Sequence, residues 1–186
     1  MNMIYVFIGA SACGKTTLCT ILDKEYDTVH KVVTDTTRSP RKGEVDKVHY
    51  NFVSEQFFRD NIDSYVEFNE YDNHLYGSNG TRIADALDSG KADVVICLDI
   101  NGAKALKKHY GDQVRVIYVH RDLEKIYAAI DERVANGEIT AESAVHRKEQ
   151  VLRDIESRND PAIDIEVDNN GTLESSINQL KEIMGL

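Results

Sequence analysis

One stretch near the start of the chain constrains the fold more than any other. An apolar run at 4–8 leads into Gly9-Ala10-Ser11-Ala12-Cys13-Gly14-Lys15-Thr16, and a helical pattern follows from Thr17. The segment matches G-x-x-x-x-G-K-[ST] completely, and it lies between a strand and a helix as that motif requires. Backbone N–H groups of such a loop and the positive end of the helix form a cradle for phosphate. We therefore predict that residues 9–17 bind ATP, with Lys15 at the β- and γ-phosphates and Thr16 on a magnesium ion.

Composition narrows the class of protein. The chain has 186 residues, 41% hydrophobic, with a net charge of −10. This length suits one globular domain with a small inserted lobe. An acidic chain disfavours nucleic acid as a partner. No apolar run approaches the roughly 20 residues that a membrane helix needs, so we expect a cytoplasmic protein with no membrane partner.

Strands alternate with helices outside the middle of the chain. The patterns predict strands at 4–8, 29–33, 92–98, 114–119 and 163–167, and helices at about 15–25, 78–89, 101–110, 122–135, 140–158 and 172–184. This alternation predicts an α/β fold, a parallel sheet flanked by helices, with ligands beyond the carboxyl ends of the strands. The helix at 140–158 is rich in charge, so it either fills a solvated face or covers a site as a lid.

The segment after the second strand departs from this rhythm. Residues 34–46 are polar and contain Pro40 and Gly43, which indicates a loop. A strand at 48–53, a short helix at 55–62 capped by Ser54 and a strand at 65–71 follow. We interpret this region as a small α+β insert.

Two arginines in the polar loop are spaced to hold a phosphate. Arg38 and Arg41 flank Pro40, and two guanidinium groups can clamp a phosphate through paired hydrogen bonds. Taken alone, they are as compatible with a solvated surface pair. Their place after the second strand, on the ligand-binding edge, favours phosphate.

A second set in the insert combines a carboxylate with hydroxyls. A carboxylate such as Glu67 can accept hydrogen bonds from the two adjacent donors of guanine, N1–H and the exocyclic amine. The hydroxyl of Thr34 or Ser78 could donate a hydrogen bond to the O6 carbonyl. Tyr50 and Tyr76 belong to the same set. Alone, Glu67 would be read as a solvated strand residue.

Two further features concern the transferred phosphoryl group. Arg133 and Arg147 flank a break at Asn136-Gly137, and positive charge on a closing lid would stabilise the transition state. Each could equally be an ordinary arginine on a helix surface. Asp99, at the end of an apolar strand, is a candidate magnesium partner of Thr16, directly or through water.

Together these segments resemble the guanylate kinase family along nearly the whole chain. The matching blocks are the phosphate loop, T-T-R-S-P-R-K-G-E-V at 36–45, H-Y-N-F-V at 49–53, V-E-F at 66–68, L-Y-G-S at 75–78 and L-D-I-N-G-A at 98–103. The resemblance implies a P-loop NTPase core with a parallel sheet flanked by helices, a small α+β GMP-binding insert and a helical lid. The core would comprise 1–33 and 79–186, the lid about 123–150, and the lobe that binds the nucleoside monophosphate 34–78.

The resemblance also implies an activity and a set of roles. The reaction would be ATP + GMP to ADP + GDP, with Mg2+, in a monomer or homodimer. Lys15, Arg133 and Arg147 would stabilise the transferring phosphoryl group. The GMP phosphate would be held by Arg38, which also counts among the catalytic residues, and by Arg41, Tyr50 and Tyr76. Guanine would be read by Thr34, Glu67 and Ser78.

The chain departs from the family pattern at several points. Ala12 replaces a glycine of the phosphate loop, Cys97 replaces the first of two strand-end aspartates, and Ala129 replaces a lid arginine. Two alternatives stay open: a related kinase for another small phosphorylated acceptor, and a non-catalytic interaction module that binds a nucleotide.

Overall fold

The computed structural model of the protein describes residues 2–71, 73–88 and 93–186. Its strands and helices, in chain order, are β1 (Ile4–Ile8), α1 (Lys15–Glu25), β2 (Val29–Lys31), β3 (Asp35–Thr36), β4 (Asn51–Phe52), α2 (Glu55–Asp60), β5 (Tyr65–Tyr71), β6 (His74–Asn79), α3 (Gly80–Asp88), β7 (Asp93–Cys97), α4 (Ile100–Tyr110), β8 (Val114–His120), α5 (Leu123–Ala135), α6 (Ala141–Glu156), β9 (Ile165–Asp168) and α7 (Leu173–Met184).

The predicted parallel sheet is confirmed. In residues 2–71, 73–88 and 93–186, five strands pair in the order β2-β7-β1-β8-β9, all parallel. Every residue of β1 is buried, because helices cover both faces of the sheet. Tyr5 and Phe7 point into one apolar cluster with α1, α5, α6 and α7, while Ile4, Val6 and Ile8 point into another with α3 and α4. Because the five strands are parallel, β1 ends at the shared carboxyl edge of the sheet, and the phosphate loop begins there.

The insert forms a second sheet of four strands, in the order β4-β3-β6-β5. Its own apolar core is small: among the described residues, Phe58, Tyr65 and Leu75 are the buried members, and the rings of Phe58 and Tyr65 stack at 4.2 Å. Ser54 caps α2 as predicted, accepting a hydrogen bond from the Phe57 N–H at 3.1 Å. With so little apolar burial of its own, the insert depends on contacts with the rest of the chain.

A buried carboxylate joins the insert to the core. Asp35 is fully buried and accepts hydrogen bonds from the Tyr65 hydroxyl at 2.7 Å and from Asn51 Nδ2 at 2.8 Å. Arg82, in α3, forms an ion pair with the same carboxylate. A buried charge needs such partners, and they connect three strands of the insert to a core helix.

Several boundaries differ from the sequence-based predictions; for example, the strand predicted at 29–33 is Val29–Lys31 and that predicted at 163–167 is Ile165–Asp168. The strand predicted at 48–53 is limited to β4, and β3 lies inside the segment predicted as a loop. The helix predicted from residue 78 begins at Gly80, because residues 74–79 pair antiparallel with β5 and form a hairpin strand that the sequence reasoning missed. The predicted helix end at Gly90 and strand start at Ala92 lie outside the described residues.

The two helices of the predicted lid region pack against each other. Ala144 and Val151 of α6 are buried in the same cluster as Ile126 and Ile130 of α5. The rest of α6 is largely polar, so one face of the helix packs and the other is solvated, and its role as a lid stays a prediction. In the parts of the chain that the structure describes, no helix has both the length and the apolar character needed to cross a bilayer.

Candidate active site

The loop between β1 and α1 has the backbone geometry of a phosphate cradle. Gly9 (φ 135°) and Gly14 (φ 107°) adopt conformations that side chains disfavour. A Cβ on Gly9 would lie 2.7 Å from the Val119 carbonyl oxygen, and one on Gly14 would overlap the Asn169 amide. Ala12 also has a left-handed backbone (φ 62°), which an alanine adopts only at a cost of about 1–2 kcal/mol. The loop is thus shaped by its backbone, as anion binding by N–H groups requires.

Lys15 lies within this loop. Its Nζ donates hydrogen bonds to the carbonyls of Gly9 at 2.6 Å and Ala10 at 2.8 Å. Burial acts to lower the pKa of Lys15, but the nearby Cys13, Cys97, Asp154 and Tyr50 raise it, and the net pKa lies above its usual value. The ammonium therefore stays charged at neutral pH, next to the place where the motif positions the β- and γ-phosphates.

Thr16 fits a cation bound together with the phosphates. It is exposed at the first turn of α1, three residues before Cys19, whose sulfur lies 3.4 Å from that of Cys97 at the end of β7. The predicted partner Asp99 is engaged elsewhere. Its Oδ1 accepts from the Gly102 N–H and its Oδ2 from Asn69 Nδ2, both at 2.8 Å. A magnesium role for Asp99 stays a prediction.

A cluster of one arginine and two tyrosines lies at the end of β3. Arg38 is 8% exposed and forms a two-pronged pair with Glu44, with N–O distances of 2.8 and 2.9 Å. Its guanidinium lies over the Tyr50 ring, 5.5 Å from the ring centre. The Tyr50 and Tyr76 rings meet edge to face at 5.9 Å. Such a cluster presents N–H and O–H donors together, as a bound phosphate needs.

Glu44 fixes this cluster from behind. Besides Arg38, its carboxylate accepts the Arg41 backbone N–H at 2.7 Å. Burial alone would raise the pKa of Glu44, but the hydrogen bonds from Arg38 and the Arg41 backbone lower it below its usual value. The Arg41 side chain is half-buried. Sequence reasoning gave Glu44 no role, although it stands in the same block as both arginines.

The carboxylate predicted to read a base faces a gap between β5 and α4. Glu67 accepts a hydrogen bond from the Ser78 hydroxyl at 2.6 Å. A Cβ on Gly102 would lie 3.3 Å from its Oε2, so the absence of a side chain there leaves the carboxylate room. Burial raises the pKa of Glu67, the Ser78 hydroxyl lowers it and Asp99 raises it, for a net rise. Thr34 is half-buried just before β3, and its carbonyl accepts the Asn51 N–H at 2.9 Å.

The two predicted lid arginines differ in their contacts. Arg147 of α6 donates from Nη1 to the Ser11 hydroxyl of the phosphate loop at 3.1 Å. Burial has the largest effect on the pKa of Lys15, which it lowers, and Cys13 and Cys97 raise that pKa. Asp154, on the same helix as Arg147, also raises it. Arg133 is half-buried at the end of α5, and within the described residues its side chain forms no hydrogen bond to the loop. The structure thus brings Arg147, but not Arg133, onto the phosphate loop.

Two residues that the sequence reasoning left without a role border the loop on the opposite side. Asn169 donates from Nδ2 to the Cys13 carbonyl at 2.7 Å and accepts from the Ser176 hydroxyl at 2.7 Å. Arg121 donates from Nη1 to the Ala12 carbonyl at 3.3 Å, and its Nε is buried without a partner. Both line a cleft of about 190 Å³ next to Gly14 and Thr17. Their positions after parallel strands are the signal that could have identified them.

Comparisons with known proteins agree with this geometry. The family model described as guanylate kinase matches residues 1–185. A relative from Helicobacter pylori, named guanylate kinase, is 37% identical over 123 residues, which cover 65% of this chain and 59% of the relative. A guanylate kinase from Clostridium perfringens is 32% identical over 83% of this chain and 70% of the relative.

A solved structure adds evidence on the fold. The crystal structure of guanylate kinase from Anaplasma phagocytophilum superposes with a TM-score of 0.71, over 99% of this chain and 85% of that one. The two sequences are 19% identical, so this likeness concerns the fold alone.

Proposed function

Because this chain belongs to the guanylate kinase family, we propose that it transfers the γ-phosphoryl group of ATP to GMP or dGMP, giving ADP and GDP. One observation carries the proposal. Asn69, on the same strand of the insert as Glu67, donates from Nδ2 to Asp99 just beyond β7, at the carboxyl edge of the core sheet, 2.8 Å away. An acceptor held by the insert and a triphosphate in the loop after β1 would then lie at the same edge, as phosphoryl transfer requires.

In this proposal, each part of the chain has its own task. Residues 1–33 and 79–186 form the core that holds ATP, about 123–150 act as a lid, and 34–78 hold the acceptor. The acidic net charge repels both substrates at long range, so local positive charge must select them. We expect the protein to act in the cytoplasm as a monomer or homodimer, without nucleic acid or membrane.

The acceptor would be bound at two ends. Arg38, Arg41, Tyr50 and Tyr76 would hold the phosphate of GMP through charged and neutral donors. Glu67 would accept the N1–H and amino donors of guanine. Ser78 already hydrogen-bonds to that carboxylate at 2.6 Å, which fixes its orientation before the base arrives. Thr34 would contribute its hydroxyl to O6.

The transfer itself would rest on positioning and charge. A divalent ion bound with ATP neutralises charge on the β- and γ-phosphates when present. Thr16, with Asp99 as a candidate for the outer sphere, would hold it. Lys15 would leave its two carbonyl partners for phosphate oxygens, and Arg147 and Arg133 would stabilise charge that spreads over the moving group. No covalent intermediate on the protein is needed.

A coupled assay of ADP release tests the proposal. With ATP and Mg2+, we expect turnover on GMP and dGMP and none on AMP, CMP, UMP or a phosphorylated sugar. Turnover on another acceptor would support the related-kinase alternative instead. ATP and GMP binding without turnover would support an interaction module. The Lys15→Ala variant should lose nearly all turnover, and a wild-type kcat in that variant would contradict the mechanism.

A further inference from the structure

Two thiols are in contact next to the phosphate loop, one from β7 and one from α1. Cys97 is the last residue of β7 and Cys19 lies in α1, and their sulfur atoms are 3.4 Å apart. Cys19 is fully buried, whereas Cys97 is partly exposed. Thr16 lies three residues before Cys19 in α1, which places the two side chains on one face of the helix. A sulfur atom therefore stands beside the hydroxyl that the proposed mechanism assigns to the metal.

The usual chemistry of this position calls for an oxygen ligand. In P-loop enzymes the metal is held by the loop Ser or Thr and, from a neighbouring strand, by an aspartate. Here β7 pairs with β1 in parallel, with Cys97 beside Phe7, so the end of β7 is that neighbouring strand. The nearest carboxylate in sequence, Asp99, uses both oxygens to cap α4 and to accept from Asn69.

We propose that Cys97, backed by Cys19, is the side chain that faces the nucleotide's metal ion from β7, and that it shifts the site's preference from Mg2+ toward thiophilic divalent cations. Hard Mg2+ favours oxygen ligands, whereas thiolates favour softer ions such as Zn2+ and Cd2+. When a soft ion binds, the metal–sulfur bond forms as the Cys97 thiol releases its proton to solvent. Mg2+ would be held by Thr16 and the nucleotide phosphates without this bond.

This inference rests on the proposed function, so nucleotide binding is measured first. Fluorescent ADP is titrated into the full chain in EDTA, with a phosphine reductant that keeps the thiols reduced. Failure of ADP to bind would overturn the proposed function, and this inference with it. Binding of ADP without metal leaves the metal preference as the only question in the next step.

The second step follows the metal and not turnover. Cd2+ is titrated into the ADP complex, and sulfur-to-metal charge transfer is recorded in the near-ultraviolet. We expect a band in wild type that is lost in Cys97→Ser, with a fall in Cd2+ affinity of at least tenfold, the scale found when a group beside a metal is removed. Cys19→Ser is the matched control, because it removes the other sulfur of the pair and should keep the band.

A second variant, Cys97→Asp, is examined by competition between Mn2+ and Mg2+, with free Mn2+ measured by electron spin resonance. Cys97→Asp should move the relative affinity toward Mg2+ by about tenfold. The nearly isosteric serine variant covers the case in which aspartate disturbs folding. Equal Cd2+ affinity and equal Mn2+/Mg2+ ratios in wild type and both variants would overturn the proposal, as would a band lost in Cys19→Ser but kept in Cys97→Ser.

Discussion

Glu67→Gln is the substitution that tests base recognition most directly. The carboxylate is half-buried, is oriented by Ser78 at 2.6 Å and faces the open side of Gly102. An amide has nearly the same shape, so the fold of β5 should survive. The amide carbonyl can accept one guanine donor, but its NH2 group would meet the other donor head on.

The magnitude follows from these contacts. Losing one hydrogen bond to a charged group removes about 1.5–3 kcal/mol, and leaving a buried donor unpaired costs about 1–3 kcal/mol. Part of this lost binding free energy is recovered because Glu67→Gln removes a charge whose burial is unfavourable; burial is the main reason that the pKa of Glu67 is raised. A net loss of about 2–4 kcal/mol corresponds to roughly 30- to 1,000-fold in kcat/KM for GMP.

Initial rates with each substrate varied in turn give the answer. The loss should appear in KM for GMP, while KM for ATP stays within twofold of wild type. Glu70→Gln is the matched control, since Glu70 is exposed three residues further along the same strand and points to its other face. Equal increases in both KM values, or an equal effect of the control, would refute base reading by Glu67.

The pH dependence supplies an independent check. Glu67 must be ionised to accept two donors, and its raised pKa means that it protonates at a higher pH than an ordinary glutamate. KM for GMP should therefore rise as pH falls through that raised pKa. The phosphate of GMP also titrates, near pH 6, so the quantity to compare is the difference in KM for GMP between wild type and Glu67→Gln. Parallel profiles would refute the assignment.

Three further substitutions separate the other parts of the site. Glu44→Gln breaks the pair with Arg38 and should lower the free energy of unfolding by about 3 kcal/mol in urea at pH 7 while raising KM for GMP. Folding lowers the pKa of Glu44, so the ion pair stabilises the fold fully above the unfolded pKa of about 4.3, and this contribution is lost as the pH falls through the lower, folded pKa. A difference in stability between wild type and Glu44→Gln that persists at pH 2 would contradict this. Arg147→Ala should reduce kcat by at least about 100-fold with little change in stability, whereas Arg153→Ala, on an exposed position of the same helix, should not; similar kcat values in the two variants would exclude a lid role. Asn169→Ala releases the Cys13 carbonyl and should raise KM for ATP but not for GMP, and an effect on GMP alone would show that the cleft beside Gly14 does not serve the donor.

The core was predictable because its signals are local. β1 and α1 were predicted with the bounds that the structure gives, since an apolar strand, two glycines and an amphipathic helix follow one another without interruption. β5 was predicted with equal accuracy from its alternation. These segments carry their structure in their own residues, so neighbours in space add little to the prediction.

The hairpin strand β6 was missed because its evidence lies elsewhere in the chain. Residues 74–79 include Gly77 and Asn79, which weaken any strand pattern, and they are strand only because β3 and β5 pair with both their edges. Glu44 was missed for a related reason. A glutamate in a polar loop looks solvated until Arg38 folds over the tyrosine rings and meets it. Long-range partners, not local propensity, decide both positions.

The arrangement of charge explains how an acidic protein can hold two anionic substrates. Three cations of the site already have oxygen partners: Lys15 has the carbonyls of Gly9 and Ala10, Arg38 has Glu44, and Arg147 has the Ser11 hydroxyl. On binding, Lys15 would exchange its carbonyl partners for phosphate oxygens. Arg38 would keep its pair with Glu44 and add the phosphate on the side of its guanidinium that faces the tyrosines. Exchange costs little when the partner released is a neutral carbonyl, and much when it is a carboxylate. The cation that must move with the γ-phosphate is therefore held by carbonyls, and the cation that must stay in place is held by a buried ion pair.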